Sequence, residues 1–139
     1  MVVEGKDRLF CKKVTLNCAG QLIDLSTPKV MGILNVTPDS FHDGGKYNSA
    51  QEQVKRVGQM LEEGADMIDI GGYSSRPGAE HVDASEELSR VIPCVTAIKR
   101  EYPNTVLSID TFRAEIARAA VAEGAGVVND ISGGDMDGE

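Results

Sequence analysis

"VMGILNVTPDSF", residues 30–41, opens as a buried strand and then changes character. Val30, Met31, Ile33, Leu34 and Val36 are the apolar run expected of a parallel strand covered on both faces. Asn35 interrupts the run at its carboxyl end, and Thr37, Pro38, Asp39 and Ser40 follow. The same pattern recurs downstream. Strand-like "MIDIGG" (67–72), "TVLSID" (105–110) and "GVVNDI" (126–131) alternate with helical stretches at 49–63, 84–101 and 112–123. Strand, helix, strand, repeated, predicts a parallel sheet joined by right-handed crossovers, the opening of either a doubly wound sheet or a (β/α)8 barrel.

The helices carry their own punctuation. Ser49 and Glu52 have capping-box spacing, with Ala50, Val54, Val57 and Leu61 on one face and Gly64 at the carboxyl end. Leu88, Val91, Ile92, Val95 and Ile98 give the second helix its apolar face, and Pro93 inside it is expected to remove one backbone bond and bend it. In the third helix Thr111 is the expected N-cap, Ile116 and Ala120 face inward, and Gly124 ends the element. Ahead of the alternation, residues 8–26 read as a hairpin, two short β-prone runs around Asn17–Gly20. The chain is thus expected to form one incomplete domain over 1–139: a hairpin at 8–26 and a repeating β/α unit over 30–139.

Composition excludes several functions. A chain of 139 residues with 41% hydrophobic and 26% charged content is ordinary for a globular domain. A net charge of −8, with no run of Lys and Arg longer than a pair, argues against nucleic acid and anionic membranes as partners. Three cysteines (Cys11, Cys18, Cys94) without metal-ligand spacing, and two histidines, argue against zinc and for reduced thiols in the cytoplasm. No apolar run approaches the roughly 18 residues of a membrane span. No "GxGxxG" follows the first strand, and "GGYSSRPG" lacks the Lys-Ser/Thr ending of a P-loop.

In parallel α/β folds ligands bind beyond the carboxyl ends of the strands. Asn35, Asp69, Asp110 and Asn129 all fall there, with Ser74, Ser75 and Arg76 in the loop after the second strand. Asp69 is expected to bond internally; Asn35, Asp110 and Asn129, at corresponding places on three strands, are expected to converge on one mouth. A carboxylate such as Asp110 can accept two parallel N–H bonds from an amidine-like edge. Asn129 offers a donor and an acceptor to a heterocycle, Arg76 can grip a phosphate, and Asn35 can offer oxygen to a hard metal or bond a diphosphate. None of these is a nucleophile, so chemistry here would rest on positioning and leaving-group stabilisation.

"MGILNVTPDSFHDGG", "IDIGGYSSRPGA", "LSID" and "VNDISGG", in this order and spacing, closely resemble the dihydropteroate synthase family of folate biosynthesis, from about residue 21 onward. The resemblance implies a (β/α)8 barrel, magnesium as cofactor, and a homodimer for the complete protein. It implies joining of p-aminobenzoate to 6-hydroxymethyl-7,8-dihydropterin diphosphate with release of diphosphate. By the same resemblance Asp110 and Asn129 hold the pterin ring, and Asn35 meets the diphosphate and its Mg2+. Phe41 and Asp43 lie in a first mobile loop, Ser75 and Arg76 in a second, and Asp43 can pair with Arg76 as the loops form the p-aminobenzoate pocket.

The sequence departs from the family where Tyr73 stands in place of a common Glu and His42 in place of a common Ser. The family's later aspartate, lysine, arginine and histidine are also missing, so the chain on its own is expected to be inactive. Half a barrel leaves two bare edges, which implies either the amino-terminal part of a longer protein or closure by two copies. Two rival readings are the pterin-binding barrel of folate-dependent methyltransferases and a non-catalytic pterin-binding module; the paired loops "TPDSF" and "SSRPG" favour the synthase.

Overall fold

A computed structural model describes residues 14–37, 50–73 and 82–137. Strands β1 (Thr15–Cys18) and β2 (Gln21–Asp24) form an antiparallel hairpin. Its two turn residues, Ala19 and Gly20, both have positive φ (51° and 87°), the backbone that matches strand twist in two-residue hairpins. The Asn17 side chain accepts from the Gly20 N–H at 2.8 Å and closes the turn. Residues 8–13 of the expected hairpin lie outside the described residues.

The alternation then follows as β3 (Met31–Asn35), α1 (Ala50–Glu62), β4 (Met67–Gly71), α2 (Ala84–Glu101), β5 (Val106–Asp110), α3 (Ala114–Ala122) and β6 (Val127–Asn129). All pairings in the four-stranded sheet are parallel, and the spatial order is the chain order, β3-β4-β5-β6. That order decides between the two candidate architectures. A doubly wound sheet reverses direction and puts helices on both faces. Here the sheet never reverses, and residues of all three helices share one core with the same face of the strands. The sheet is an arc of a (β/α)8 barrel, with its helices outside.

The shared core consists of Leu34, Ile68, Ile70, Leu107 and Ile109 from the strands. Against them pack Val57 and Met60 of α1, Val91, Cys94, Val95 and Ile98 of α2, and Ile116 and Ala120 of α3. Most of the expected helical stripes pack here, with Val54, Leu61, Leu88 and Ile92 partly buried against the core, but Ala50 is exposed and Met60 and Cys94 join the core unexpectedly. Burial drives the Cys94 thiol pKa up to about 12, which leaves it inert. Helix α2 runs through Pro93 without interruption, and Gly64 and Gly124, both at φ 105°, follow α1 and α3. The Ser49 half of the proposed capping box lies outside the described residues.

Two expectations need correction. Strand β3 is not covered on both faces: Leu34 is buried under the helices, but Ile33, pointing the other way, is 64% exposed. Among the described strands β4 is buried throughout, and β5 is buried up to Asp110, which is partly exposed. An edge strand of an arc has a neighbour on one side only, so its inward residues lack flanking side chains. Thr111 is not the N-cap of α3. The helix begins later, with Arg113 at the cap position: the Thr111 hydroxyl donates to Glu87 and accepts from the Arg113 N–H at 3.2 Å, and the Ala114 N–H is met by Asp137 at 2.7 Å.

The hairpin closes the amino end of the inner face. Cys18 is buried with Met67 and Val106, flanked by Ile23 and Val127. Gly126 permits this close approach: a Cβ there would lie 2.9 Å from the Cys18 Cβ and 3.0–3.1 Å from its backbone. Backbone cannot swing aside as a side chain can. Gly126→Ala should therefore lower stability by about 1–3 kcal/mol, read as a reduced urea midpoint, whereas an unchanged midpoint would mean that the hairpin does not seat there.

Candidate active site

Strict register assembles the site. Asn35 pairs with Gly71, Gly71 with Asp110, and Asp110 with Asn129, one row across all four strands at their carboxyl ends. Because Leu34, Ile70 and Ile109 face the helices, the residue after each must face the barrel interior. Gly71 leaves room in the middle of the row. A Cβ there would sit 3.5 Å from both Asn35 Oδ1 and Asp110 Oδ2, so the two side chains flank the glycine from opposite strands. The three expected residues are thus brought together. Phe41, Asp43, Ser75 and Arg76 lie outside the described residues.

One layer below, Asp69 is only 4% exposed. Its Oδ2 accepts from Asn129 Nδ2 at 3.0 Å, which agrees with the internal bonding expected of it. Asp69 Oδ1 and the hydroxyl of Ser108, its register partner on β5, are buried with no hydrogen-bond partner among the described residues. Asp130, also at the mouth, is consumed by its own turn. It accepts from the Ser132 N–H and hydroxyl and from the Gly134 N–H, which holds its carboxyl below the ordinary range.

Behind the row stands a buried ion pair that sequence reading missed. Glu87, fully buried on α2, pairs with Arg113 and accepts the Thr111 hydroxyl at 2.7 Å. Arg113 also donates to the Val82 carbonyl at 2.8 Å and lies over the Phe112 and Tyr73 rings, at 4.7 and 5.3 Å from their centroids. Tyr73 meets Phe112 edge-on at 5.4 Å. Arg90 donates to the Gly72 carbonyl. Two arginines therefore hold the residues on either side of 74–81. The sequence did carry a signal for Glu87: it falls on the same helical face as Val91, Cys94 and Ile98, a charge at the head of an apolar stripe.

The row is electronegative. Burial first, then the carboxylates of Asp69, Glu87 and Asp130, raises the Asp110 pKa above the ordinary carboxylate value. Such a group gains most from a ligand that presents N–H donors or positive charge. Among the described residues no cluster of three or more His, Cys, Asp or Glu could hold a metal ion. A magnesium ion drawing most of its ligands from a diphosphate and water would still fit, with Asn35 Oδ1 as the protein oxygen.

The comparisons with known proteins bear on this geometry. Residues 31–139 match the family model described as pterin binding enzyme. The chain belongs to that family. It is 47% identical over 120 residues to the dihydropteroate synthase of Streptococcus pyogenes serotype M1, covering 86% of this chain and 45% of that protein. Its fold is similar to that of Xanthomonas albilineans dihydropteroate synthase with 4-aminobenzoic acid (TM-score 0.82, 48% identity, 90% of this chain and 46% of that one). It is also similar to Burkholderia cenocepacia dihydropteroate synthase complexed with 7,8-dihydropteroate (TM-score 0.73, 43% identity, 88% of this chain and 39% of that one). The chain thus spans about half the length of the relatives it matches. Among the described residues no helix is long and apolar enough to cross a membrane.

Two outcomes follow from the electrostatics. Asp110 binds its proton more tightly in the fold than in the unfolded chain, so stability falls as pH rises from the ordinary carboxylate range through the raised value. Asp110→Asn should flatten that slope and raise the urea midpoint at pH 7; a wild-type midpoint that climbs with pH over this window contradicts it. Arg113→Ala strands the fully buried Glu87 and should cost about 3–5 kcal/mol, measured by chemical denaturation.

Proposed function

We propose that this chain supplies the pterin and diphosphate contacts of a dihydropteroate synthase. The reaction joins p-aminobenzoate to 6-hydroxymethyl-7,8-dihydropterin diphosphate. The observation that carries the reading is the in-register row Asn35–Gly71–Asp110–Asn129 at the carboxyl ends of four barrel strands. Similarity to synthases whose structures hold 4-aminobenzoic acid and 7,8-dihydropteroate supports it.

The chemistry suits the residues. An aromatic amine is neutral and nucleophilic near pH 7, so no strong base is needed. Its nitrogen attacks the pterin methylene carbon while the bond from that carbon to the diphosphate oxygen breaks, and the amine then loses a proton to solvent. As diphosphate departs, positive charge grows on the pterin, and the Asp110 carboxylate would offset it. Asn129 would orient the ring through its amide, and Asn35 would bond the departing diphosphate. Asn35 would also be the residue to hold magnesium, which when bound would supply positive charge for the leaving group. Phe41, Asp43, Ser75 and Arg76 would form the p-aminobenzoate pocket, with Asp43 and Arg76 paired. A cytoplasmic setting fits the unpaired Cys18 and Cys94 thiols.

The chain by itself should bind pterin but not turn it over, because it spans about half of its synthase relatives. Pterin fluorescence should report binding that weakens about tenfold or more in Asp110→Asn and Asn129→Ala. Affinity indifferent to both substitutions would remove the row from the pterin site. Dihydropteroate formed by the purified chain would show that the second half is dispensable.

A further inference from the structure

We propose that Asp69 is a positioning residue that fixes the orientation of the Asn129 carboxamide, and so the order in which donor and acceptor meet the ring. The inference rests on the reading of Asn129 as a pterin contact. An ionised carboxylate accepts hydrogen bonds and cannot donate, so only the NH2 end of the amide can face it. The 3.0 Å contact from Asn129 Nδ2 to Asp69 Oδ2 therefore sets the amide's sense as well as its place. One N–H is consumed, which leaves Oδ1 and the second N–H for a ligand at the mouth.

The contact has an unusual route. Asp69 belongs to β4 and Asn129 to β6, so the bond spans the intervening strand β5, above Ser108. Asn129 is exposed on a three-residue edge strand, and the bond to Asp69 is what holds its side chain among the described residues. Asp69 is nearly fully buried, and among the described residues its Oδ1 and the hydroxyl of its register partner Ser108 have no hydrogen-bond partner. Burying a carboxylate with an open valence is costly, and packing alone would be better served by an apolar residue. What the carboxylate provides is a buried acceptor beneath an exposed amide. With Asp69 replaced by a group that both donates and accepts, the Asn129 amide can turn through half a circle and exchange its two ends.

The side-chain amide of Asn129 can be followed directly by 15N NMR on the whole chain, comparing wild type, Asp69→Asn and Ser108→Ala. The expected wild-type signature is one Nδ2 proton shifted downfield and slow to exchange, retained in Ser108→Ala and lost in Asp69→Asn. Affinity for 6-hydroxymethylpterin should fall about tenfold in Asp69→Asn and stay unchanged in Ser108→Ala. Two equivalent, fast-exchanging Nδ2 protons in the wild type overturn the proposal, even if Asp69→Asn does not fold. So does a signature that survives Asp69→Asn. Wild-type chain that shows the amide signature yet binds no pterin defeats the proposed function and leaves the Asp69–Asn129 assignment standing.

Discussion

Everything at the mouth depends on one steric constraint, the alternation of side chains along strands locked into register. Leu34, Ile70 and Ile109 must lie under the helices, because burying each stabilises the fold by about 1.5–3 kcal/mol. Their successors Asn35, Gly71 and Asp110 are then compelled to face inward together. A slip of one residue in any strand would turn its polar end outward and expose its apolar residue. The same packing that holds the sheet therefore aims the site, and the two cannot be changed independently.

Charge is handled in two contrasting ways around this row. Glu87 is buried but answered by Arg113 and Thr111, so the carboxylate is satisfied and serves as a fastening. Asp110 is left among carboxylates with its pKa raised. The fold thus neutralises the charge behind the row and, among the described residues, leaves the one at the barrel mouth without a cationic partner. A group kept in that condition costs stability in the free protein and returns it on binding.

The alternation, the apolar helix faces and the glycine stops were legible because each is set by local spacing. The convergence of Asn35, Asp110 and Asn129 was legible too, since corresponding positions in parallel strands meet by register. What escaped depended on partners distant in sequence. Thr111 has the composition of a cap, but the first N–H of α3, on Ala114, is met by Asp137, 23 residues later, and the Thr111 hydroxyl proton goes to Glu87. Val30, Met31 and Ile33 read as a doubly covered strand, yet cover on the inner face depends on which strands stand beside β3. Asp69 was read as internally bonded, and its partner Asn129, 60 residues away, could be found only in three dimensions.

The empty place at Gly71 has a consequence for how such a site can be tuned. Asn35 and Asp110 stand on strands separated by β4, roughly 9.6 Å apart at two interstrand spacings. Their oxygens approach across a residue with no side chain to intervene. The spacing of the two strands is therefore a lattice constant of the sheet, fixed by backbone hydrogen bonds that substitution of side chains leaves alone. A pair of jaws with such a fixed bite suits a reactant whose own dimensions are invariant. Variation in what else is accepted must then be left to the connecting loops.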